Sequence, residues 1–180
     1  MSTKTPVFGI TGWKNTGKTT LVTRLVSEFT QRGYCVSTIK HAHHNFDIDQ
    51  KGRDSYKHRD AGAHEVALVS GNRWALMHEL RGADEPTLEE VIERLSPCDL
   101  VLIEGYKRES HPKIESRRVE GNSKEPLAPQ DPAIVAIASD QPLLEENLPV
   151  FDIDTIEEIA DFIADYIKLP VPRKTNQSVS

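Results

Sequence analysis

The run Gly12-Trp-Lys-Asn-Thr-Gly17-Lys18-Thr19 constrains this chain more than any other stretch. It matches G-x-x-x-x-G-K-[ST] without a gap and lies between an apolar run, Pro6-Val-Phe-Gly-Ile-Thr11, and a segment of helical periodicity. From Lys18 to Arg32 the apolar residues Leu21, Val22, Leu25, Val26 and Phe29 recur at three- and four-residue spacing, so a helix with one buried face is predicted, stopped at Gly33. A strand, a glycine loop and a helix in this order gather backbone N–H groups around one point. Gly12 and Gly17 let the chain curl, and the helix N-terminus adds its positive end. A polyphosphate suits such a loop. Gly12, Asn15, Thr16, Gly17, Lys18, Thr19 and Thr20 are therefore the candidate nucleotide-binding residues. Lys18 is a catalytic candidate because it carries charge to the β- and γ-phosphates, and the Thr19 hydroxyl is a candidate ligand of Mg²⁺.

Strand and helix patterns keep alternating after this loop, which predicts an α/β fold of the P-loop NTPase type: a largely parallel sheet flanked by helices. Tyr34–Lys40 reads as the second strand and Asp54–Ala61 as a short helix, with Asp54 or Ser55 available to cap it. Glu65–Ser70 and Arg73–Leu80 read as an inserted β-hairpin around Gly71-Asn72, two residues that tolerate positive φ. Thr87-Leu-Glu-Glu90 and Thr155-Ile-Glu-Glu158 both have capping-box spacing and open helices. The second helix presents Ile156, Ile159, Ala160, Ile163 and Ile167 on one face. Asp99–Ile103 is continuously apolar, as a central parallel strand should be, while Ala133–Ala138 and Val150–Ile153 supply two more strands. Residues 105–132 are charged and lack a period; they read as an excursion or lid with one strand over Lys113–Arg118. The expected organisation is a single domain over 1–169, with a hairpin excursion at about 64–80, a charged excursion at about 105–132, and a disordered tail over 170–180.

A triphosphate site also needs a carboxylate at the end of a neighbouring strand. Glu104, followed by Gly105, stands at that place after Asp99–Ile103. Glu104 is a candidate for the metal, and Gly105 lets the backbone approach phosphate. The segment His41-Ala-His43-His44-Asn-Phe-Asp47-Ile-Asp49 follows the second strand, on the edge where parallel sheets bind ligands. Asp47 is a further metal candidate, and Asp49 a catalytic candidate that could orient an attacking water. Three readings stay open here: a switch-like loop, a transition-metal site using the histidines, and a plain polar loop. Asp140, at the end of Ala133–Ala138, could accept from the N1–H and N2 amine of guanine, a donor pair that adenine lacks.

Composition excludes some partners. The net charge of −6 argues against nucleic-acid binding, which normally requires a basic field. No apolar run approaches the roughly 20 residues of a membrane span, and the N-terminus does not read as a secretory signal. Cys35 and Cys98 are isolated and are expected to be buried free thiols in a reducing compartment, so a cytoplasmic location is expected.

Several of these residues occur together in a known order. Gly12–Thr20, Ile39-Lys40-His41-Ala-His43-His44 with Asp47 and Asp49, Gly52-Arg-Asp54-Ser55, Arg73-Trp74-Ala-Leu-Met77, Leu102-Ile-Glu104-Gly105-Tyr-Lys107 and Ala138-Ser-Asp140 resemble the MobB family, over roughly residues 6–168. Those proteins are adaptors of molybdopterin-guanine dinucleotide biosynthesis. The resemblance implies binding of GTP with Mg²⁺, at most slow hydrolysis of its phosphoric anhydride, a homodimer, and association with the guanylyltransferase MobA, which joins GMP to molybdopterin. It strengthens Asp140 as the guanine reader and makes the hairpin a dimer or partner surface through Trp74 or Met77. It leaves open whether molybdopterin itself touches the chain. Two other functions share the same loop. One is a small-molecule kinase with Arg108, Arg117 and Arg118 in a lid. The other is a metallochaperone GTPase using His41, His43 and His44.

Overall fold

The computed structural model of the chain describes residues 5–42, 48–121 and 125–172. Asp47, His43, His44 and the last eight residues of the expected tail lie outside these. The chain divides into two compact units, one formed by the residues up to His41 with those from Leu95 onward, the other by Ala42–Arg94.

The first unit is a six-stranded, wholly parallel sheet. Its strands are β1 (Val7–Thr11), β2 (Val36–Lys40), β5 (Leu100–Glu104), β6 (Lys113–Arg117), β7 (Ile134–Ser139) and β8 (Val150–Asp152), in the spatial order β2-β5-β1-β6-β7-β8. This is the expected P-loop NTPase-type α/β sheet. Helices α1 (Lys18–Gln31) and α4 (Ile156–Tyr166) pack against each other. Leu21, Leu25 and Phe29 of α1 and Ile159 and Ile163 of α4 meet Phe8, Ile10, Leu100, Leu102, Ile114 and Ala136 in one buried cluster. The 3.6-residue period of the helices and the period of two in the strands bring these side chains to a common face.

The opposite face is covered differently. Lys113, Glu115 and Arg117 alternate with Ile114 and Ser116 along β6, and all five are buried. The supposed charged excursion supplies their partners. The Lys113 ammonium donates to the Lys107 carbonyl at 2.8 Å and to Asp131 at 2.6 Å. The Glu115 carboxylate accepts from the Leu127 and Ala128 amides and from Arg117. Arg117 also pairs with Glu146. Burial alone would lower the Arg117 pKa, but its hydrogen bonds to Glu115 and Glu146 outweigh that and hold it above the ordinary value. The described residues of 105–121 and 125–132 thus form a structural layer around an interior strand, with short 3₁₀ turns at Val119–Gly121 and Ala128–Gln130. Of the excursion or lid read from the sequence, the strand expected at Lys113–Arg118 forms over Lys113–Arg117, inside the sheet.

The second unit holds α2 (Asp54–Asp60), the antiparallel hairpin of β3 (Glu65–Val69) and β4 (Trp74–His78), and α3 (Leu88–Glu93). The hairpin is where the sequence put it, but its turn is made otherwise. Gly71 and Asn72 are absent from the positive-φ positions. Ser70 instead ties the turn, its hydroxyl accepting from the amides of Asn72 and Arg73 and donating to the Arg73 carbonyl.

Three further expectations are corrected. The Thr87–Glu90 capping box forms with both reciprocal bonds, whereas at Thr155 no side-chain cap is made. There the Thr155 hydroxyl donates back to the Asp152 carbonyl, and the Asp152 carboxylate takes the Asp154 amide, so a local turn outcompetes the box. Helix α2 is preceded by Arg53 at its N-cap position and has no side-chain cap: Asp54 and Ser55 already lie inside the helix, and Ser55 donates to Asp49. The cysteines are free but not buried: Cys35 is exposed and Cys98 only partly covered, as both flank strands instead of lying within them. No helix among the described residues is long and apolar enough to cross a membrane.

Candidate functional site

The loop between β1 and α1 is shaped by residues that most sequences could not supply. Gly12, Asn15 and Gly17 all have positive φ, at 141°, 63° and 85°. A Cβ on Gly12 would lie 2.5 Å from the Ser116 carbonyl oxygen and 2.7 Å from the Thr16 hydroxyl. β6 backs the loop directly, since the Ser116 hydroxyl donates to the Thr16 carbonyl at 2.5 Å. Inside the loop the Thr16 hydroxyl and the Lys18 ammonium both donate to the Trp13 carbonyl, at 2.9 and 2.5 Å. The N-terminus of α1 has no capping side chain, and its first turn contains no acidic residue. Neither a capping side chain nor an acidic residue of its own first turn answers the N–H groups and positive dipole end of this helix.

Across β1, strand β5 delivers Glu104. Its Oε1 accepts from the Thr19 hydroxyl at 2.8 Å and lies 3.1 Å from the Lys40 ammonium. The β2–β5 register sets Lys40 beside Glu104, and Lys40 also donates to the Thr19 hydroxyl at 3.4 Å. Two oxygen donors of this kind fit Mg²⁺, a hard cation satisfied by one or two protein oxygens plus phosphate and water. Gly105 follows with φ 98°, its amide on the Ile10 carbonyl at 3.1 Å and its Cα against His41. Lys18 has its pKa lowered, first by burial, then by the like charges of Lys107 and Lys40, with Glu104 opposing. The Lys107 ammonium itself sits 3.9 Å over the Trp13 ring.

On the other side of β1, Asp140 ends β7. It is exposed, and its Oδ1 accepts from the Val119 amide at 3.2 Å, which orients the carboxylate at the sheet edge. Gly12, Asn15, Thr16, Gly17, Lys18, Thr19, Thr20, Glu104, Gly105 and Asp140 all belong to the first unit, at the carboxyl ends of β1, β5 and β7. Asp49 belongs to the second. There its Oδ1 accepts from Ser55 at 2.5 Å and its Oδ2 lies 3.6 Å from Arg59, so this nearly buried carboxylate is engaged locally. Among the described residues no group of three or more His, Cys, Asp or Glu is placed to hold a metal.

Two residues at the site had no assigned role from sequence, Lys40 and Ser116, and a third, Arg118, had one only as a lid arginine in the alternative kinase reading. Lys40 ends β2 and Arg118 follows β6, while Ser116 lies within β6; the strand end was a usable signal for Lys40. Ser116 and Arg118 were hidden because the position of β6 beside β1 is not written in its charged sequence.

The family model of MobB, molybdopterin guanine dinucleotide synthesis protein B, matches residues 7–140. The chain belongs to the MobB family. That match runs from β1 to Asp140 and so contains the loop, Glu104-Gly105 and the aspartate. The chain is 39% identical over 168 residues to the molybdopterin-guanine dinucleotide biosynthesis adapter protein of Haemophilus influenzae, covering 93% of this chain and 92% of that one. It is 36% identical to the adapter protein of the same name from Escherichia coli, covering 92% and 95%. Among solved structures, the MobB homolog from Bacillus stearothermophilus superposes with a TM-score of 0.66 at 25% identity, covering 91% of this chain and 99% of that one. Bacillus subtilis MobB shares the fold with a TM-score of 0.72 at 24% identity, covering 89% and 96%. MobB membership places the chain in molybdenum cofactor biosynthesis.

Proposed function

We propose that this MobB-family chain is a cytoplasmic, GTP-binding adapter that assists a MobA-type guanylyltransferase in attaching GMP to molybdopterin. The observation that carries the nucleotide reading is the uncapped N-terminus of α1, whose own first turn holds Lys18 and no acidic residue, with the Thr19–Glu104 pair beside it. The loop binds the phosphates, Thr19 and Glu104 hold Mg²⁺, and Asp140 accepts from the guanine edge. When bound, the metal neutralises charge on the phosphate oxygens. Hydrolysis is slow in this reading. Asp49, the sequence's candidate for orienting a water, has one carboxylate oxygen on Ser55 and the other facing Arg59.

The hairpin is the proposed homodimer surface. Val69 pairs with Trp74 and Ala67 with Leu76, so these four share one face of a two-stranded sheet. Val69, Trp74 and Leu76 are exposed at 78%, 68% and 50%. An apolar strip of this size on so small a sheet favours burial against a second chain.

The adapter reading is tested by sedimentation of the purified chain with a MobA-type guanylyltransferase, with and without GTP and Mg²⁺. Co-migration that strengthens with GTP is expected. Independent migration under both conditions refutes the reading.

A further inference from the structure

Arg118 follows β6 at the sheet's carboxyl edge and lies against the glycine loop. Its guanidinium rests on the Cα of Gly17. A Cβ there would be 2.6 Å from Arg118 Nε and 3.3 Å from Cζ. Gly17 therefore serves two ends: it permits the left-handed backbone at φ 85°, and it leaves room for the guanidinium beside the loop. Arg118 Nε is buried and has no hydrogen-bond partner among the described residues. A buried donor on a charged group left in this way calls for an acceptor that the described residues do not supply.

Strand order fixes which part of a ligand this acceptor belongs to. β5, with Glu104, lies on one side of β1, and β6 lies on the other. Arg118 thus approaches the loop from the side opposite the Thr19–Glu104 pair, where a terminal phosphate and metal would be. It approaches from the side of Asp140. The two are tied together: the Val119 amide donates to Asp140 Oδ1 at 3.2 Å, and the Asp140 amide to the Arg117 carbonyl at 3.4 Å. The segment is further fixed to the loop by Ser116 on the Thr16 carbonyl and by Gly121, whose Cα backs the Asn15 carbonyl closely enough that a Cβ would lie 2.8 Å from it.

We infer that Arg118 is a nucleotide-binding residue whose guanidinium bonds the base-proximal phosphate, so that it sets affinity for guanosine di- and triphosphates alike. This rests on the nucleotide-binding reading above. A planar guanidinium offers a fork of donors to phosphate oxygens that a lysine cannot reproduce.

The test compares calorimetric titrations of GTP and of GDP, each with Mg²⁺, into the unaltered chain, Arg118→Met and Arg118→Lys, with thermal melts as a folding control. Arg118→Met is expected to weaken both nucleotides by at least about tenfold and by similar factors. Unchanged affinity for both overturns the inference, and so does a loss confined to GTP, which would put the arginine at the terminal phosphate. Should Arg118→Met fail to fold, Arg118→Lys keeps the stem and charge; it is expected to weaken both nucleotides, and unchanged affinity overturns the inference. Absence of GTP and GDP binding to the unaltered chain refutes the nucleotide reading itself, and that result is seen before any variant is made.

Discussion

The Thr19 hydroxyl donates to the Glu104 carboxylate at 2.8 Å, across 85 residues of sequence. The pair joins the start of α1 to the end of β5, which the parallel β1–β5 pairing sets side by side. Both are oxygen donors at the edge of the proposed phosphate site, and Lys40 supplies the positive charge that the carboxylate holds in the free chain.

Glu104→Gln keeps the size of the side chain but removes the charge that a divalent cation requires. The variant is expected to lose most of the enhancement that Mg²⁺ gives to GTP affinity, about tenfold or more. Its affinity for GTP in EDTA should stay near that of the unaltered chain. Titrations with and without Mg²⁺ check this; equal Mg²⁺ dependence in both proteins would remove Glu104 from the metal site.

Lys18 gives a pH signature. Its pKa lies below the ordinary 10.5, chiefly through burial, so the folded chain holds fewer protons than the unfolded one in the window between the lowered value and 10.5. Stability therefore rises with pH through that window as far as this group is concerned. A bound polyphosphate restores the charged form, so GTP binding in the same window should take up protons. Calorimetry just below pH 10.5 in two buffers of different ionisation enthalpy reads the uptake directly. Lys18→Ala should abolish it and weaken GTP strongly, with no loss of melting temperature, because a partly desolvated charge has been removed. Buffer-independent heats in the unaltered chain would contradict the argument.

The pair under β6 separates burial from pairing. Lys113 has no exposed surface, and its ammonium is held by Asp131 and the Lys107 carbonyl. Asp131→Ala leaves that ammonium without its counter-charge and is expected to destabilise the chain by about 3 kcal/mol. Lys113→Met removes the buried charge itself and is expected to cost clearly less. Denaturant melts of the two variants give the order, and a larger loss for Lys113→Met would contradict it.

This pair also shows what the sequence could and could not reveal. β1, α1 and β5 were legible because the glycine loop, the helical period and an unbroken apolar run each have one structural meaning. β6 was legible as a strand but not as an interior one, since Lys113, Glu115 and Arg117 read as surface until Asp131, Glu146 and the 127–128 amides are seen around them. The capping-box spacing at Thr155 failed where the same spacing at Thr87 succeeded, because Asp152 precedes it and builds a competing turn. At the proposed site, the positions of the loop, Glu104 and Asp140 after β1, β5 and β7 were legible from strand ends. Arg118 was not, because its role depends on the non-sequential neighbour relation of β6 and β1.

Trp74 tests the hairpin. Its ring stands exposed beside Val69 on the apolar face. Trp74→Glu puts a charge at the centre of the proposed interface, and the chain is expected to sediment as a monomer at concentrations where the unaltered chain is dimeric. The melting of the first unit should be little changed. A dimer of unchanged strength would place the interface elsewhere.

The central claim is that this MobB-family chain binds GTP through the β1–α1 loop with Asp140 reading the base. Calorimetric titration with GTP and with ATP, each with Mg²⁺, tests it most directly. The account predicts GTP binding clearly tighter than ATP, with the difference lost in Asp140→Ala. Equal affinities, or a preference for ATP, would contradict it.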